Sequence, residues 1–477
     1  MKVLFTTSES VPFLKTGGLA DVAGSLPIYL KKEGVDIRVV MPLYSKIEEK
    51  YRRKMDYIGY FYVDLGFRHQ YAGVLSYKYK GVIYYFIDSE YYFKRDKIYG
   101  EVDDGERFIF FSKAATILPK FLDFKADIIH SNDWHTGLVP LYIEDFKKGD
   151  SFYSDIKSVH TMHNLKYQGV FPESILQEVA GLSRDYYHED GLKYYDNINM
   201  MKAGIVYSNI LTTVSKTYAQ EIRYHFFGEG LEGIINKHSG KLRGIVNGID
   251  YDEYNPKTDK KIAKNYTLKT IRNKKQNKLA LQEKYGLPVD ETVPIISMVT
   301  RLVAMKGLDL VRATIEELLQ EDIQFVMLGT GDREYEDMFL YFQNKYPDKM
   351  AARVYFNEDE AHLIYAGSDI FLMPSMSEPC GISQLISLRY GTIPIVREVG
   401  GLKDTIEPYN LYTGKGNGFS FKNFNAHEML FTIKNAIFIY KDKNNWNNLV
   451  QSAMNSKNDW EKSSREYIDL YENLISN

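Results

Sequence analysis

Residues 2–30 of the chain read KVLFTTSESVPFLKTGGLADVAGSLPIYL, and this stretch decides the fold. Its first part, residues 2–7, is apolar and β-branched and predicts a buried strand. From Leu19 to Leu30 the apolar residues recur at helical spacing, which predicts a helix. Pro27 falls inside this pattern, so a kink or an early stop is expected there. A strand, a glycine-containing loop and a helix together form the first unit of an α/β fold.

The loop between this strand and this helix carries Lys15, Gly17 and Gly18. A helix N-terminus presents unpaired N–H groups and a partial positive charge, and two glycines let a ligand approach the backbone closely. Lysine adds a full charge, so the loop indicates a site for a phosphorylated ligand. The spacing is neither G-x-G-x-x-G nor a Walker motif. The pattern alone therefore leaves an ordinary glycine-rich turn as the alternative.

The composition describes a globular chain of 477 residues, which is long enough for two or three domains. A formal net charge of −3 argues against a nucleic-acid-binding surface, which needs a basic excess. The single cysteine rules out a disulfide framework and fits a reducing compartment. With no signal peptide and no apolar run long enough for a bilayer, a soluble cytoplasmic protein is expected. The 39 tyrosines fill the core or, alternatively, line a sugar-binding surface.

Strand and helix patterns alternate through both halves of the chain, which predicts mainly parallel sheets covered by helices. In such sheets, ligands bind beyond the carboxyl ends of the strands. The predicted strands are residues 2–7, 35–41, 82–87, 128–130, 157–162 and 210–214 in the first half, and 294–300, 323–328, 370–373 and 393–396 in the second.

A domain boundary is expected after G-I-V-N-G-I-D (244–250). Residues 257–278 are polar, rich in lysine and weakly periodic, and we interpret them as a solvated connecting segment. Near the end of the chain, residues 460–475 carry tyrosines and leucines at helical spacing, which predicts an amphipathic helix.

Charged residues follow two predicted strands of the second half. Arg301 and Lys306 flank a tight loop, where arginine can hold a phosphate bidentately and lysine acts as a point charge. Solvated surface charges are the alternative. Glu378 precedes a helix start, where a carboxylate either stabilises the helix dipole or binds sugar hydroxyls. Cys380 is interpreted as a small buried residue, because no histidine nearby in sequence would activate it as a nucleophile.

Histidines and an aspartate lie at or near the ends of two predicted strands of the first half, and these ligand types suit zinc. Their spacing matches no helical H-x-x-x-H pair and no cysteines accompany them, so no metal is expected. At strand ends they can also bond to sugar hydroxyls or to backbone carbonyls. The residues are His130, Asp133, His135, His160 and His163.

A series of motifs, in order along the chain, resembles those of bacterial glycogen synthases and plant starch synthases. The combination of K-T-G-G-L, the central H-N segment and E-P-C-G is highly specific. The motifs are K-T-G-G-L-A-D-V (15–22), H-S-N-D-W-H-T-G (130–137), H-N-L-K-Y-Q-G (163–169), K-A-G (202–204), G-I-V-N-G-I-D (244–250), R-L-V-A-M-K-G (301–307), P-S-M-S-E-P-C-G (374–381) and V-G-G-L-K-D-T (399–405).

The resemblance implies the GT-B type of α/β fold, in which two doubly wound Rossmann-like domains face a central cleft. It places the N-terminal, acceptor-side domain at residues 1–243 and the C-terminal, nucleotide-sugar-binding domain at residues 244–457. Residues 458–477 form a helix that returns to the N-terminal domain.

The implied reaction transfers glucose from ADP-glucose to the non-reducing end of an α-1,4-glucan, glycogen or starch, with retention of configuration. The implied partners are this donor and this acceptor, with no cofactor, no metal, no nucleic acid and no membrane. The alternatives are a same-fold glucosyltransferase that uses UDP-glucose or another acceptor, a non-catalytic glucan-binding protein, and a nicotinamide-dependent enzyme. The missing dinucleotide fingerprint argues against the last of these.

The resemblance also assigns roles to individual residues. The donor diphosphate is expected at Arg301 and Lys306, the glucose hydroxyls at Glu378, and the anomeric carbon near His163. The full catalytic set is Lys15, His163, Arg301, Lys306 and Glu378. The substrate-binding set is Lys15, Gly17, Gly18, Asp21, Asp133, Asn164, Asn247, Phe356, Cys380 and Gly381.

Some positions depart from the family pattern. Phe356 stands where the family commonly has tyrosine, so it keeps a ring for the adenine but lacks the hydroxyl. Met376 replaces an arginine and Lys216 replaces a proline, and neither carries an assigned role. Ile386 occupies the position where another family of the same fold often has a second glutamate, which argues against that family.

Overall fold

The chain divides into two compact units in a computed structural model that describes residues 1–66 and 68–476. Unit 1 comprises Met1–Asn247 together with Trp460–Asn477, and unit 2 comprises Gly248–Asp459. The chain therefore leaves unit 1 once and returns to it for its last helix.

The parallel sheet of unit 1 is wound around the first strand of the chain. The strands of this unit are β1 (Lys2–Thr6), β2 (Asp36–Pro42), β3 (Asp56–Leu65), β4 (Arg68–Tyr79), β5 (Val82–Asp88), β6 (Ile128–Asn132), β7 (Lys157–Met162), β8 (Val170–Pro172), β9 (Lys193–Tyr194), β10 (Asn197–Asn199), β11 (Ile210–Thr213) and β12 (Leu242–Gly244). The large sheet has the order β12-β11-β7-β6-β1-β2-β5-β4-β3, and a small sheet has the order β8-β10-β9. β1 pairs in parallel with both β2 and β6, so the chain winds outward on both sides of it.

Helices cover this sheet, which explains why strands such as β1 and β2 are largely apolar. β3 and β4 differ, because they pair antiparallel and extend the sheet beyond β5. The helices of unit 1 are α1 (Gly18–Lys32), α2 (Glu49–Arg52), α3 (Glu90–Phe93), α4 (Asp104–Phe121), α5 (Val139–Lys147), α6 (Ile175–Glu178), α7 (Met200–Tyr207), α8 (Lys216–Glu221), α9 (His225–Gly228), α10 (Glu232–Lys237) and, after unit 2, α19 (Trp460–Ser476).

Helix α1 continues through Pro27 to Lys32, which excludes the early stop that the sequence suggested. Proline lacks the N–H group that would bond to the carbonyl of Ala23, one turn earlier. The hydroxyl of Tyr84 donates to that carbonyl oxygen at 3.5 Å. A side chain from β5 therefore replaces the missing backbone donor.

The C-terminal helix α19 packs into unit 1 through an aromatic face. Trp460, Tyr467 and Tyr471 are each at most 1% exposed. A buried hydrogen bond of 2.6 Å joins the Tyr471 hydroxyl to Nδ1 of His130 on β6. The amphipathic helix predicted for this segment is thus present, and its aromatic stripe is the buried side.

Unit 2 contains a single described sheet in which every pairing is parallel. Its strands are β13 (Ile295–Val299), β14 (Gln324–Leu328), β15 (Met350–Arg353), β16 (Ile370–Met373), β17 (Ile393–Arg397) and β18 (Phe419–Phe421), in the order β15-β14-β13-β16-β17-β18. Its helices are α11 (Lys274–Tyr285), α12 (Leu308–Leu318), α13 (Arg333–Lys345), α14 (Glu358–Gly367), α15 (Ser383–Arg389), α16 (Gly400–Thr405), α17 (Ala426–Lys441) and α18 (Lys443–Asn455). Strand order reverses between β13 and β16, as in a doubly wound Rossmann-like sheet.

The lysine-rich segment of residues 257–278 is not simply a solvated connection, contrary to expectation. Lys278 is buried and pairs with Asp369 at 2.8 Å. The Lys274 ammonium donates to the carbonyl of Ala366 and to the hydroxyl of Thr392, each at 2.8 Å. Burial lowers the pKa of Lys274 to about 7. These lysines attach α11 to the polar ends of neighbouring elements.

Among the described residues, no helix combines the length and the apolar character that crossing a membrane would require.

Replacement of Tyr471 by alanine tests how α19 is held. We expect a loss of about 3–5 kcal/mol in the free energy of unfolding of unit 1, as for other buried aromatics. Urea unfolding in a Trp446→Phe background, where Trp134 and Trp460 provide the fluorescence, measures it. As a control, Tyr224→Ala removes a tyrosine that is 70% exposed, and its cost should stay within about 0.5 kcal/mol. Equal losses in the two variants would contradict this packing.

Candidate active site

The residues of unit 2 that are predicted to bind the diphosphate and the glucose of the donor lie at the carboxyl ends of β13 and β16. These neighbouring strands flank the point where strand order reverses, which is where open α/β sheets bind ligands. The loop after β13 carries Arg301 and Lys306, and the loop after β16 carries Glu378. A small cavity of about 60 Å³ lies between the two loops and is lined by Lys306, Ser375, Glu378 and Gly381, among others.

A buried ion pair joins the two loops. The Lys306 ammonium lies 2.6 Å from Oε2 of Glu378, and their side chains are only 18% and 10% exposed. The hydroxyl of Ser375 donates to the same oxygen at 3.0 Å. An isolated charge at this depth would be strongly disfavoured, so each partner requires the other. The pair offers a positive group for an anion and a carboxylate for hydroxyl groups at one place.

Glycines allow the backbone of these loops to approach closely. A Cβ atom on Gly307, which has φ +75°, would lie 1.9 Å from the Pro374 carbonyl oxygen. A Cβ atom on Gly400, which has φ +46°, would lie 2.0 Å from the carbonyl oxygen of Glu378. The glycines of R-L-V-A-M-K-G and V-G-G-L-K-D-T therefore pack on the P-S-M-S-E-P-C-G loop, and all three motifs build one site.

Two polar side chains that the sequence did not single out fix this loop. Gln384 donates to the carbonyls of Cys380 and Gly381, each at 3.1 Å. Arg397 donates to the carbonyls of Ser375 and Met376 at 3.2 and 2.8 Å. Both contacts are to backbone atoms, so no side-chain pattern in the sequence signalled them.

Other predicted residues of unit 2 lie apart from the cavity. Arg301 is exposed at the start of the same loop as Lys306. Phe356 is 68% exposed and follows β15, the edge strand of the sheet. Cys380 is buried beside Glu378. The cavity thus brings Lys306 and Glu378 together and not Arg301 or Phe356, and the roles of all four residues stay predictions.

In unit 1, the predicted phosphate-binding loop connects β1 to α1. Gly17 is extended and directly precedes α1, so the loop ends at a helix N-terminus as the sequence predicted. The Lys15 ammonium pairs with Asp21 on the first turn of α1 at 2.7 Å, with side chains 34% and 25% exposed. A partly exposed pair of this kind is worth little in stability, which leaves Lys15 available to an anionic ligand.

A second residue of unit 1 that is predicted to belong to the site, Asp133, has an unusual backbone. It adopts φ +54° and ψ −178°, a conformation that side-chain-bearing residues rarely take. Its Oδ1 accepts the backbone N–H of His163 at 2.7 Å, and the backbone N–H of Asn164 is a further donor to this carboxyl. Burial nevertheless raises the pKa of Asp133 to about 7. The aspartate therefore holds the H-N segment after β7 against the end of β6.

His163 is a buried, neutral imidazole. Nε2 of its ring is 2.9 Å from Oδ1 of Asn132, whose amide nitrogen donates to the carbonyl of Thr6 at 3.0 Å. Burial lowers the pKa of His163 to about 3. His163 therefore stays uncharged throughout the range in which most enzymes work.

The remaining histidines of the predicted cluster have structural partners. His130 bonds to Tyr471 and Thr161, each at 2.6 Å, and Nδ1 of His160 bonds to Ser131 at 2.8 Å. His135 packs with its ring centroid 4.0 Å from that of Trp134. Asn247 ends the main segment of unit 1, and its buried Oδ1 has no hydrogen-bond partner within the described part of the chain.

One group of potential metal ligands is found among the described residues, away from the predicted histidines. It consists of Glu253, Glu358 and His362 in unit 2. The ammonium of Lys261 lies 2.9 Å from Glu253 and 3.4 Å from Nε2 of His362. The Lys261 ammonium therefore already lies among these side chains, where a metal ion would have to bind.

Comparison with known proteins places this arrangement in a family. Residues 2–237 match the family model of the starch synthase catalytic domain, and residues 282–452 match that of glycosyl transferases group 1. Curated glycogen synthases from Finegoldia magna and Clostridium acetobutylicum are 57% and 52% identical over 477 residues, covering 100% of both chains.

Solved structures agree with this placement. The catalytic domain of starch synthase IV from Arabidopsis thaliana, bound to ADP and acarbose, is 32% identical with a TM-score of 0.92, covering 100% of this chain and 99% of that chain. Sucrose-phosphate synthase from Thermosynechococcus elongatus is 15% identical with a TM-score of 0.62, over 100% and 99% of the two chains, and shows the fold alone.

Two Rossmann-like α/β units with these motifs at their strand ends define a glycosyltransferase of the GT-B type. The chain belongs to the glycogen synthase and starch synthase family, as its sequence predicted.

Gly307→Ala tests the close approach of the two loops in unit 2. Its matched control is Gly286→Ala, because Gly286 has a similar φ of +73° but no atom within 4 Å of the added Cβ. Both variants lose stability because alanine is strained in the left-handed backbone conformation. Gly307→Ala should lower the free energy of unfolding by about 1–3 kcal/mol more, because it also displaces the Pro374 loop. Hydrogen exchange of the β13 and β16 amides measures this difference. Equal protection in the two variants would contradict the contact.

Asp133→Asn tests the titration of the buried aspartate. In the folded chain the pKa of Asp133 is about 7, above the ordinary aspartate value of 3.8, so folding favours the protonated form. The raised pKa of Asp133 therefore adds to the free energy of unfolding. This contribution is complete below pH 3.8 and is lost as pH rises through about 7. Urea unfolding at pH 5 and pH 8 should therefore show wild type losing stability relative to Asp133→Asn as pH rises. If the difference in unfolding free energy between wild type and Asp133→Asn did not change with pH, the raised pKa of Asp133 would be refuted.

Proposed function

We propose that the chain is an ADP-glucose-dependent glycogen synthase, which adds glucose to the non-reducing end of an α-1,4-glucan with retained configuration. The buried Lys306–Glu378 pair at the reversal point of the unit 2 sheet carries this proposal. It sets a fixed positive charge and a sugar-binding carboxylate side by side. The relatives named glycogen synthase and the ADP-bound starch synthase support the choice of donor and acceptor.

In unit 2, Arg301 and Lys306 bind the diphosphate of the donor. Glu378 accepts hydrogen bonds from the glucose hydroxyls, beside the backbone amides of Cys380 and Gly381. Phe356 supplies a ring face for the adenine. When the anomeric C–O bond breaks, negative charge develops on the diphosphate, and preorganised cations stabilise it there.

In unit 1, Lys15 contacts the phosphate and sugar of the donor, and Gly17 and Gly18 allow its close approach. His163 lies near the anomeric carbon, with its backbone carbonyl facing the positive charge of the oxocarbenium-like transition state. Asp133 holds His163 in place through its backbone amide. Asp21, Asn164 and Asn247 complete the substrate contacts.

The mechanism that best fits these groups is attack on the same face from which ADP leaves. The acceptor O4 bonds to the anomeric carbon, the electron pair of the broken C–O bond passes to the phosphate oxygen, and that oxygen takes the O4 proton. The described residues of the site supply no carboxylate that we assign as a nucleophile. Same-face attack therefore accounts for retention without a covalent intermediate.

Product analysis after incubation with labelled ADP-glucose and a maltooligosaccharide tests the function. We expect products longer by glucose units, linked α-1,4 at the non-reducing end. A parallel incubation with UDP-glucose distinguishes the same-fold alternative. Faster turnover of UDP-glucose than of ADP-glucose would contradict the proposal that ADP-glucose is the donor. Absence of turnover with either nucleotide sugar would favour a glucan-binding protein.

Lys306→Ala tests the diphosphate contact. We expect kcat to fall roughly a hundredfold or more, since one preorganised charge donor is removed. Lys345→Ala is the matched control, because it removes another lysine of unit 2 from a more exposed ion pair with Glu316. Its kcat should be unchanged. A near-wild-type kcat for Lys306→Ala would refute the assigned role.

We also propose that the enzyme works in the cytoplasm. The single buried cysteine fits a reducing compartment.

A further inference from the structure

Glu9 is a buried carboxylate beneath the Lys15–Gly18 loop, and no motif assigns it a role. It is the third residue after the end of β1 and is only 4% exposed. A glutamate at this depth is rare unless it is paired or hydrogen-bonded. Its contacts therefore indicate what holds it there.

The contacts of Glu9 are to the loop above it. Its Oε2 accepts the backbone N–H of Thr16, and the Thr16 hydroxyl donates to the same oxygen at 2.7 Å. The backbone N–H of Gly17 also bonds to this carboxyl. The carboxylate thus binds the loop at the two residues that follow Lys15 and precede α1.

The groups around Glu9 are mostly acidic or phenolic. Asp21 of α1 and Asp133 after β6 interact with it electrostatically, as do the buried hydroxyls of Tyr44 and Tyr99. Burial raises the pKa of Glu9 to about 7, although the bonds from Thr16 and Gly17 act in the opposite direction. Ionisation of Glu9 therefore places a negative charge beneath the loop, close to any anion bound there.

We propose that Glu9 is a positioning residue for the donor, which holds the Lys15–Gly18 loop through Thr16 and Gly17 so that Lys15 and the start of α1 receive the phosphate. The inference rests on the proposed function. Glu9 does not itself touch the substrate. It acts on donor binding and leaves the acceptor unaffected.

Steady-state kinetics of Glu9→Ala and Glu9→Gln test the role. Glu9→Ala leaves the loop amides without their acceptor, so the KM for ADP-glucose should rise roughly tenfold or more, as expected when buried donors are left without a hydrogen-bond partner. The KM for the maltooligosaccharide should stay within about twofold. Glu9→Gln keeps an oxygen for Thr16, so the KM for ADP-glucose should rise about threefold or less. Glu33→Gln, at the other end of α1, is the matched control and should leave both constants unchanged.

The pH dependence supplies a readout that a merely structural role would not move. Wild type should bind the donor less well as pH rises from 6 to 8, because Glu9 becomes negative in this range. Glutamine stays neutral, and Asp133 titrates in both proteins. The ratio of donor KM in wild type to that in Glu9→Gln should therefore rise with pH, and a constant ratio would overturn the proposal.

Hydrogen exchange separates this proposal from the proposed function. The Thr16 and Gly17 amides should exchange about tenfold faster or more in Glu9→Ala, and at the wild-type rate in Glu33→Gln. This measurement needs no turnover, so an enzyme inactive with ADP-glucose would refute the proposed function and still test the loop contact. Unchanged exchange in Glu9→Ala, or equal increases in the donor and acceptor KM, would overturn the role of Glu9.

Discussion

The structure of the unit 2 site depends on one buried charge pair. Lys306 and Glu378 belong to loops after different strands, yet their charged atoms lie 2.6 Å apart. Removal from water would cost several kcal/mol for each ion alone, so the pair persists only while both loops are held in register. Gly307 and Gly400 allow that register, because any side chain at either position would collide with a backbone carbonyl. The glycines of these motifs therefore allow Lys306 and Glu378 to lie side by side, and the proposed mechanism uses this arrangement of charges.

Unit 1 uses buried carboxylates in a related way. Glu9 holds the loop after β1, and Asp133 holds the segment after β7, in both cases through backbone N–H groups. Burial raises the pKa of each carboxyl to about 7. In each case the carboxyl group fixes a loop through main-chain N–H groups, while Lys15 on the first loop pairs with Asp21. As a consequence of their burial, Glu9 and Asp133 ionise at a higher pH than exposed carboxyl groups do.

Much of the fold could be predicted from the sequence, for physical reasons. Parallel strands buried on both faces read as continuous apolar runs, and β1, β13 and β16, which lead into site loops, are of this kind. β3 and β4 were missed, because they have mixed polar and aromatic faces and pair antiparallel. The interior lysines of α11 were also missed, since composition cannot distinguish a solvated ammonium from one that bonds to buried carbonyls. Glu9 and Gln384 were missed as well, because they bond mainly to backbone groups, and no pattern of side chains in the sequence indicates such contacts.

Arg301 and Lys306 are proposed to hold the donor diphosphate, and a crystal structure of the chain with ADP would show whether they do. We expect phosphoryl oxygens within hydrogen-bond distance, about 2.7–3.2 Å, of the Lys306 ammonium and of the guanidinium of Arg301. ADP bound elsewhere, with Lys306 still paired only to Glu378 and Arg301 still in solvent, would contradict it.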